Sequence, residues 1–490
     1  MAGGTTSADP TFQPRRLVRS VLPADPVRCH DEGMAIATQN PATGETVRTF
    51  DEHSPEFVTD AITTAHATFQ TWRTTTFAER AALMHRAADL LDQDNELIAQ
   101  IMTLEMGKTL KAARGEATKC AKGMRYYADK AEALLADEPV DPSAVGASRA
   151  YARYAPLGIV LAVMPWNFPL WQVVRFAAPA LMAGNVGLLK HASNVPQCAV
   201  YLEELFLRAG FPTGAFTTLL VSARQVEPIL RDPRVRAATL TGSEPAGQSV
   251  AAICGDEIKT TVLELGGSDP FIVMPSADVE KAAAVAVTAR CQNNGQSCIA
   301  AKRFIVHADV YDRFAEAFVA GMAALVVGDP TDDATDVGPL ATESGRSDVI
   351  AMVEDARAKG ASVLCGGNSP EGPGWFYEPT VVADLTTDMH MYAEEVFGPV
   401  AGLYKVHSLD EAVELGNGTA FGLGSNAWTN DADEQARFIR DIDAGTVTIN
   451  GMTTSHNDMP FGGTKRSGYG RELSAHGIRE FCNIKSIWIA

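Results

Sequence analysis

Two residues of this sequence, Cys298 and Glu264, are of the types that acyl transfer requires. Cys298 lies in the segment Asn294-Gly295-Gln296-Ser297-Cys298-Ile299-Ala300, where small and polar neighbours allow a ligand to approach the thiol. Glu264 lies 34 positions earlier, and a carboxylate between two leucines at a strand end is costly unless it has a task or a partner. A thiolate nucleophile with a carboxylate base is what acyl chemistry needs. A lone cysteine is more often an inert buried side chain, which is our interpretation of the other seven.

The elements that must position these residues are predicted from the hydrophobic pattern. Apolar segments of strand length alternate with helix-compatible stretches, and each segment ends in loop or small residues. This alternation predicts a parallel sheet wrapped by helices, with ligands at the carboxyl ends of its strands. The predicted strands are Gly158–Pro165, Asn185–Lys190, Phe216–Val221, Ala237–Thr241 and Thr261–Leu265.

A chain of 490 residues is too long for one ordinary core, so we expect several structural units. A Rossmann-like cofactor domain is predicted from 34–136, which is mostly helical, together with 157–266. A second α/β domain that carries Cys298 is predicted at 267–470. The interval 137–156 resembles a projecting hairpin, and the segment 471–490 ends in an alternating pattern that predicts a strand pairing outside its own domain.

The composition excludes several classes of function. The formal net charge of −19 disfavours nucleic acid and anionic membrane surfaces as partners, and no apolar run approaches the ~20 residues that span a bilayer. The eight cysteines contain no Cys-x-x-Cys pair, so neither a disulfide framework nor a metal site is predicted, and a reducing cytoplasm fits best. Residues 1–33 lack periodicity and the apolar core of a secretory signal. They predict a disordered N-terminal extension, with Met34 as the natural start.

The combined motifs resemble those of the aldehyde dehydrogenase superfamily from about Asn40 to the C-terminus. Leu263-Glu264-Leu265-Gly266-Gly267 and Gly295-Gln296-Ser297-Cys298 match its two active-site signatures at the family's spacing. Cys291 departs from the pattern, because an aromatic or aliphatic residue usually opens the cysteine signature, and we expect only a packing consequence. The other shared motifs are Pro165-Trp166-Asn167-Phe168-Pro169, Thr241-Gly242-Ser243, Glu394-Glu395-Val396-Phe397-Gly398-Pro399 and Pro460-Phe461-Gly462-Gly463.

The resemblance implies roles for three catalytic residues and a third structural part. Cys298 would attack the aldehyde to give a thiohemiacetal, whose oxyanion the Asn167 amide and the Cys298 backbone N–H would hold. Hydride transfer to a nicotinamide would leave a thioester, and Glu264 would activate the water that hydrolyses it. The segments 137–156 and 471–490 would together form a small β oligomerisation element, so a homodimer or homotetramer is expected.

The resemblance also implies a dinucleotide site. Trp166, Lys190, Gly242, Ser243, Glu395 and Phe397 would bind the cofactor, with the helix that follows Gly242 and Ser243 meeting the pyrophosphate. Members that prefer NAD commonly carry a glutamate three residues after the lysine, whereas this chain has Ser193. Without that negative charge, Lys190 and Ser193 could hold a 2′-phosphate, so NADP is favoured, with NAD as the alternative.

Arg175 is the informative residue for the substrate. It lies eight positions after Asn167, where succinate-semialdehyde dehydrogenases carry an arginine that binds the far carboxylate of the substrate. Ser455 and His456 could add neutral hydrogen bonds to that carboxylate. Gln292 departs from the pattern, because well-studied members place a second arginine there. The alternative for Arg175 is a structural ion pair with a neighbouring acid.

The same residues bear on three other functions. A dehydrogenase of broad specificity for aliphatic aldehydes is the alternative within enzymes. A CoA-acylating enzyme is disfavoured, because that branch typically lacks the base that Glu264 provides. A catalytically silent binding or structural protein is disfavoured by the joint presence of Cys298, Glu264 and Asn167.

Overall fold

The computed structural model describes residues 36–490, so the predicted extension 1–33 and Met34 lie outside the described residues. The helices are α1 (Pro55–Trp72), α2 (Phe77–Gln93), α3 (Asn95–Met106), α4 (Leu110–Leu134), α5 (Trp171–Ala183), α6 (Pro196–Ala209), α7 (Val226–Arg231), α8 (Glu244–Asp256), α9 (Val279–Cys291), α10 (Ala308–Ala323), α11 (Glu343–Ala358), α12 (His390–Ala393), α13 (Leu409–Asn417), α14 (Ala432–Asp441) and α15 (Ser474–Arg479).

Within residues 36–490, the strands form four sheets. They are β1 (Ile36–Gln39), β2 (Thr46–Phe50), β3 (Glu138–Val140), β4 (Arg149–Pro156), β5 (Ile159–Met164), β6 (Val186–His191), β7 (Phe216–Thr218), β8 (Val235–Thr241), β9 (Thr260–Glu264), β10 (Asp269–Val273), β11 (Ala301–His307), β12 (Ser362–Cys365), β13 (Thr380–Ala383), β14 (Val400–Val406), β15 (Gly424–Trp428), β16 (Thr446–Ile449), β17 (Gly468–Tyr469) and β18 (Cys482–Ile489).

The first large sheet has the order β17-β9-β8-β5-β6-β7. Strands β5 to β9 are parallel, as the alternating pattern predicted, and β17 joins them antiparallel to β9. Helix α5 covers this sheet with every residue buried, and α4 packs against α5. The α/β fold class is therefore confirmed, and the site residues that follow β5, β6, β8 and β9 leave the sheet at one edge.

A second sheet, of order β12-β13-β14-β11-β10-β15-β16, is parallel except for β12. Its strands β10 and β11 flank the segment that carries Cys298. The pairing of β17 with β9 shows that Gly468 and Tyr469 contact the first sheet, although the predicted division placed them with the second unit. The predicted division into 34–136 with 157–266, 267–470, and 137–156 with 471–490 stays a prediction.

The projecting hairpin and the C-terminal strand form a separate three-stranded antiparallel sheet of order β18-β4-β3. Strand β18 pairs with β4 along its whole length, from Cys482 opposite Pro156 to Ile489 opposite Arg149. Ile484 and Trp488 are 61% and 55% exposed on this sheet. Within residues 36–490, no helix is long and apolar enough to cross a membrane.

Candidate active site

The loop that carries Cys298 has an unusual backbone that buried asparagines hold in place. After α9, Asn293, Asn294 and Gly295 adopt left-handed φ values of 56°, 56° and 73°, a region that asparagine and glycine tolerate best. The Asn294 side-chain amide donates hydrogen bonds to the carbonyls of Gly107 (2.8 Å) and Pro339 (3.0 Å). The loop is therefore tied to two other segments before it reaches the thiol.

The two glycines after Glu264 explain why this motif requires small residues. A Cβ atom on Gly266 would collide with the carboxylate of Glu395, and one on Gly267 would lie 2.7 Å from the backbone carbonyl oxygen of Cys298. Only glycine leaves room for both approaches. The Glu264 motif thus packs directly on the Cys298 loop and on Glu395, which brings three separate sequence motifs to one place.

Lys302 is a buried cation beneath Cys298 that the sequence analysis did not single out. Its ammonium group donates to the carbonyls of Ser297 (2.9 Å) and Cys298 (2.5 Å) and pairs with Glu395 at 3.1 Å. Burial raises the pKa of the Cys298 thiol to about 12, while the positive charges of Lys302 and Arg175 act to lower it. Part of the Cys298 side chain nevertheless faces open space, as a nucleophile requires.

The side chain of Asn167 is fixed beside the same loop. Its oxygen accepts a hydrogen bond from the Gln172 amide at 3.0 Å, and its own amide donates to the Gln296 carbonyl at 3.1 Å. Asn293 donates to the Asn167 backbone carbonyl at 2.8 Å. The Asn167 amide nitrogen therefore faces the Cys298 loop, where an oxyanion on the substrate would form. Gln172, the second residue of α5, is the positioning partner that sequence reasoning missed.

Glu264 is 2% exposed at the end of β9, and neither of its carboxylate oxygens has a hydrogen-bond partner within residues 36–490. Burial, followed by the nearby charge of Glu472, raises the pKa of Glu264 well above its ordinary value. Its carboxylate lies against Gly462, where an added Cβ would be 2.6 Å from the oxygen. Glu264 is not among the residues that line the cavity that Cys298 faces, although its charge acts to raise the pKa of the Cys298 thiol.

Cys298 faces a cavity of about 200 Å³ between α4, α5 and two loops. Arg175 and Ser455 line it, as does Gln292, whereas Arg290 is turned away and donates to the carbonyl of Ala301. The remaining lining residues are Ala112, Gly115, Glu116, Lys119, Phe168, Trp171, Gln172, Ser297, Ile299, Thr454 and Phe461.

The two basic residues of this cavity differ in their partners. Arg175 lines the cavity and is also ion-paired with Glu472. The structural ion pair named above as the alternative for this residue is therefore present. The ammonium group of Lys119 contacts Ser455 Oγ at 2.6 Å and the Trp171 ring at 4.5 Å. Lys119 was not predicted as a site residue, because nothing in the helical pattern of α4 distinguishes it from the exposed lysines of the same helix.

His456 is placed differently from its prediction. It lines a neighbouring cavity of about 370 Å³ beside Ser455, and its ring nitrogen lies 2.6 Å from Thr454 Oγ1. It is not among the residues that line the Cys298 cavity. Ser455 lines both cavities because the loop turns between them. The structure therefore places Ser455 in the cavity that Cys298 faces and His456 in the neighbouring one.

A cleft of about 670 Å³ is lined by Gln296 of the Cys298 loop, and it contains three residues predicted to bind the cofactor. Trp166, Glu395 and Phe397 line it together with Gln296, and the Trp166 and Phe397 rings meet edge to face at 5.7 Å. Gln296 lines the cleft and Cys298 lines the cavity, so the same loop contributes to both spaces.

The other predicted cofactor residues follow neighbouring strands of the first sheet. Lys190 lies near the end of β6, in register with Val163 of β5, and Ser193 follows the same strand. Burial lowers the pKa of Lys190. Ser243 precedes α8 without a side-chain capping bond, so the backbone N–H groups of Glu244 and Ala246, on either side of Pro245, remain available to an anion. These positions surround one edge of the sheet, which suits an extended dinucleotide.

The geometry defines a cysteine-dependent dehydrogenase site, and comparison with known proteins agrees. Residues 29–487 match the aldehyde dehydrogenase family. The chain therefore belongs to that family, and the prediction from its motifs is confirmed.

Individual relatives are similar over nearly their whole length. The chain is 69% identical to succinate-semialdehyde dehydrogenase (NADP(+)) 1 of Mycobacterium tuberculosis, over 93% of this chain and 100% of that protein. It is 67% identical to the Mycobacterium leprae protein named succinate-semialdehyde dehydrogenase (NADP(+)), with the same coverage. The solved succinic semialdehyde dehydrogenase of Streptococcus pyogenes, in complex with NADP+, superimposes with a TM-score of 0.90 at 39% identity. That match covers 92% of this chain and 99% of the other.

Proposed function

We propose that this chain oxidises succinate semialdehyde to succinate and transfers the hydride to NADP+. The observation that carries the proposal is the half-buried thiol of Cys298, which faces a small cavity containing the basic side chains of Lys119 and Arg175. Such a cavity suits an aldehyde with an anionic far end. The names of the mycobacterial and streptococcal relatives support the same substrate and cofactor.

The proposed reaction begins at Cys298. Its thiolate attacks the aldehyde carbon, a C–S bond forms, and the oxygen that becomes negative accepts hydrogen bonds from the Asn167 amide and the Cys298 backbone N–H. Each such donor is typically worth about 10²–10³ in rate. Loss of hydride from that carbon leaves a thioester on Cys298. Glu264 then removes a proton from water, the hydroxide adds to the thioester carbon, and the thiolate departs to give the carboxylic acid.

The residues around the cleft fit a nicotinamide dinucleotide. Trp166, Glu395 and Phe397 would hold the nicotinamide riboside beside Cys298, and the amide groups that begin α8 would meet the pyrophosphate. The bound nicotinamide supplies the hydride acceptor. Ser193 and Lys190 would bind the adenosine ribose. A serine in place of an acid brings no negative charge that would repel a 2′-phosphate.

A homodimer or homotetramer is part of the proposal. The sheet of β3, β4 and β18 supports it, because this sheet stands apart from the two large sheets and carries the exposed side chains of Ile484 and Trp488. An apolar surface of this kind favours contact with another copy.

The proposal is tested by following reduced-nicotinamide absorbance with succinate semialdehyde and butanal, each with NADP+ and NAD+. We expect the highest kcat/KM for succinate semialdehyde with NADP+, and formation of succinate. Iodoacetamide, which alkylates Cys298, should abolish the signal. A chain that prefers butanal would instead be the broad-specificity alternative, and one with no activity on either aldehyde would contradict the proposal.

A further inference from the structure

We propose that Lys119 is the residue that recognises the far carboxylate of the substrate, and that Arg175 has a mainly structural role. This inference rests on the proposed function, because it assigns one part of the succinate semialdehyde to one side chain. It concerns a residue that neither the motifs nor the spacing of the sequence singled out.

The first observation is the position of Lys119. Residues Ala112, Gly115, Glu116 and Lys119 of α4 are spaced as one face of a helix, and all of them line the Cys298 cavity. The Lys119 ammonium lies 4.5 Å from the centre of the Trp171 ring and bonds to Ser455 Oγ, so the charged end of the side chain is held in place.

The second observation is the balance of charge. Arg175 is ion-paired with Glu472. Glu116 is ion-paired with Lys108 and accepts hydrogen bonds from the backbone N–H groups of Leu170 and Trp171. Within residues 36–490, no carboxylate lies within 4.0 Å of the Lys119 ammonium. A largely desolvated cation without a counter-ion is costly, and an anionic ligand would supply the missing charge.

The third observation is the hydrogen bonding of Ser455. Its oxygen accepts one hydrogen bond from Lys119 (2.6 Å) and one from the Trp171 indole (3.1 Å). A hydroxyl has one proton and two lone pairs, so its proton remains available to an acceptor in the cavity. A carboxylate placed here would accept from both the Ser455 hydroxyl and the Lys119 ammonium, which is a charge-assisted pair of bonds.

The test compares Lys119→Met with Lys122→Met, an exposed lysine one turn further along α4. The measured quantity is the ratio of kcat/KM for succinate semialdehyde to that for butanal. A hydrogen bond to a charged group contributes about 1.5–3 kcal/mol, so we expect Lys119→Met to lower this ratio about 10- to 150-fold. Lys122→Met should keep the wild-type ratio. An unchanged ratio in Lys119→Met, in an enzyme that prefers succinate semialdehyde, would overturn the assignment.

Dependence on pH separates charge from shape. Burial, with a further effect of Arg175, lowers the pKa of Lys119 to about 8, while Cys120 and Glu116 act to raise it. The ratio should therefore fall as pH rises above about 8, and dividing by butanal removes the titration of Cys298 itself. Lys119→Arg stays charged throughout and should abolish this alkaline decline. A decline that persists in Lys119→Arg would contradict the role of the Lys119 charge.

A binding measurement makes the test independent of turnover. Succinate carries the same carboxylate, so it should slow the alkylation of Cys298 by iodoacetamide in wild type and Lys122→Met, but much less in Lys119→Met. Equal protection in Lys119→Met would overturn the inference. If succinate protects through Lys119 while succinate semialdehyde is not oxidised, the inference stands and the proposed function fails.

Discussion

The guanidinium group of Arg175 is paired with the carboxylate of Glu472 inside the protein, where the two side chains are only 3% and 6% exposed. Arg175 also packs over the Phe461 ring at 4.6 Å and lies 3.3 Å from Thr241 Oγ1. The pair joins α5 to the segment before α15. The positive charge of Arg175, which the sequence analysis assigned to the substrate carboxylate, is therefore largely neutralised by Glu472.

Breaking this pair should destabilise the protein. Arg175→Met and Glu472→Met each leave one buried group without its partner, which typically costs about 3–5 kcal/mol, so both should lower the melting temperature measured by differential scanning calorimetry. The double variant Arg175→Met/Glu472→Met removes both charges and should recover part of the loss. The exposed pair of Arg313 and Glu280 provides the control, because Glu280→Gln should change the melting temperature little. Additive losses in the double variant would contradict a direct interaction.

Glu264→Gln should separate the two halves of the proposed reaction. An amide cannot remove a proton from water, so the thioester should form once and then persist, giving one equivalent of NADPH in a rapid burst and a steady rate lowered at least 10²-fold. In wild type, the carboxylate is the active form and its pKa is raised by burial, so kcat should fall as pH falls through that raised pKa. Stopped-flow absorbance and quenched-flow mass spectrometry of the acylated chain measure both effects. Loss of the burst in Glu264→Gln would place Glu264 before hydride transfer instead.

Lys302→Met should make Cys298 less reactive. The thiol has a pKa raised to about 12, so the thiolate fraction, and with it the rate of alkylation by iodoacetamide, should rise about tenfold per pH unit across pH 7 to 10. Lys302 acts to lower that pKa, and its removal should slow alkylation at every pH in this range. The control is Lys281→Met, an exposed lysine of α9. Equal alkylation rates in Lys302→Met and wild type would show that Lys302 does not lower the pKa of the thiol and only holds the Ser297 and Cys298 carbonyls and Glu395 in place.

The sequence predicted the parallel strands well because their signal is local. Buried apolar runs bounded by small residues specify β5 to β9, and the predicted ends differ from the observed ones mainly by one or two residues; β7 is shorter, ending at Thr218 rather than Val221. The resemblance of its motifs to those of the family also implied which segments would meet. Gly266 and Gly267 show why, since each is required by a close approach of Glu395 or of the Cys298 loop.

The site residues that were not predicted are placed by tertiary contacts, which the sequence pattern does not show. Lys119 lies on a helix whose other lysines face solvent, and only the packing of α4 on α5 brings it into the cavity. Lys302 resembles an ordinary strand lysine until β11 carries it beneath the thiol. The sequence marked Arg175 as a cation that needs an anion, but Glu472, nearly 300 positions later, could not be recognised as its partner from spacing alone.

Ser193→Glu should change the cofactor preference. The new carboxylate would repel a 2′-phosphate and accept hydrogen bonds from the ribose hydroxyls of NAD+, so the ratio of kcat/KM for NADP+ to that for NAD+ should fall at least tenfold. The repulsion is electrostatic and partly exposed, so the change should weaken as ionic strength rises. Ser143→Glu, on the exposed segment before β4, adds the same charge away from the sheet edge and should leave the ratio unaltered. Equal ratios in Ser193→Glu and wild type would remove Ser193 from the cofactor site and leave Lys190 as the remaining candidate to contact a 2′-phosphate.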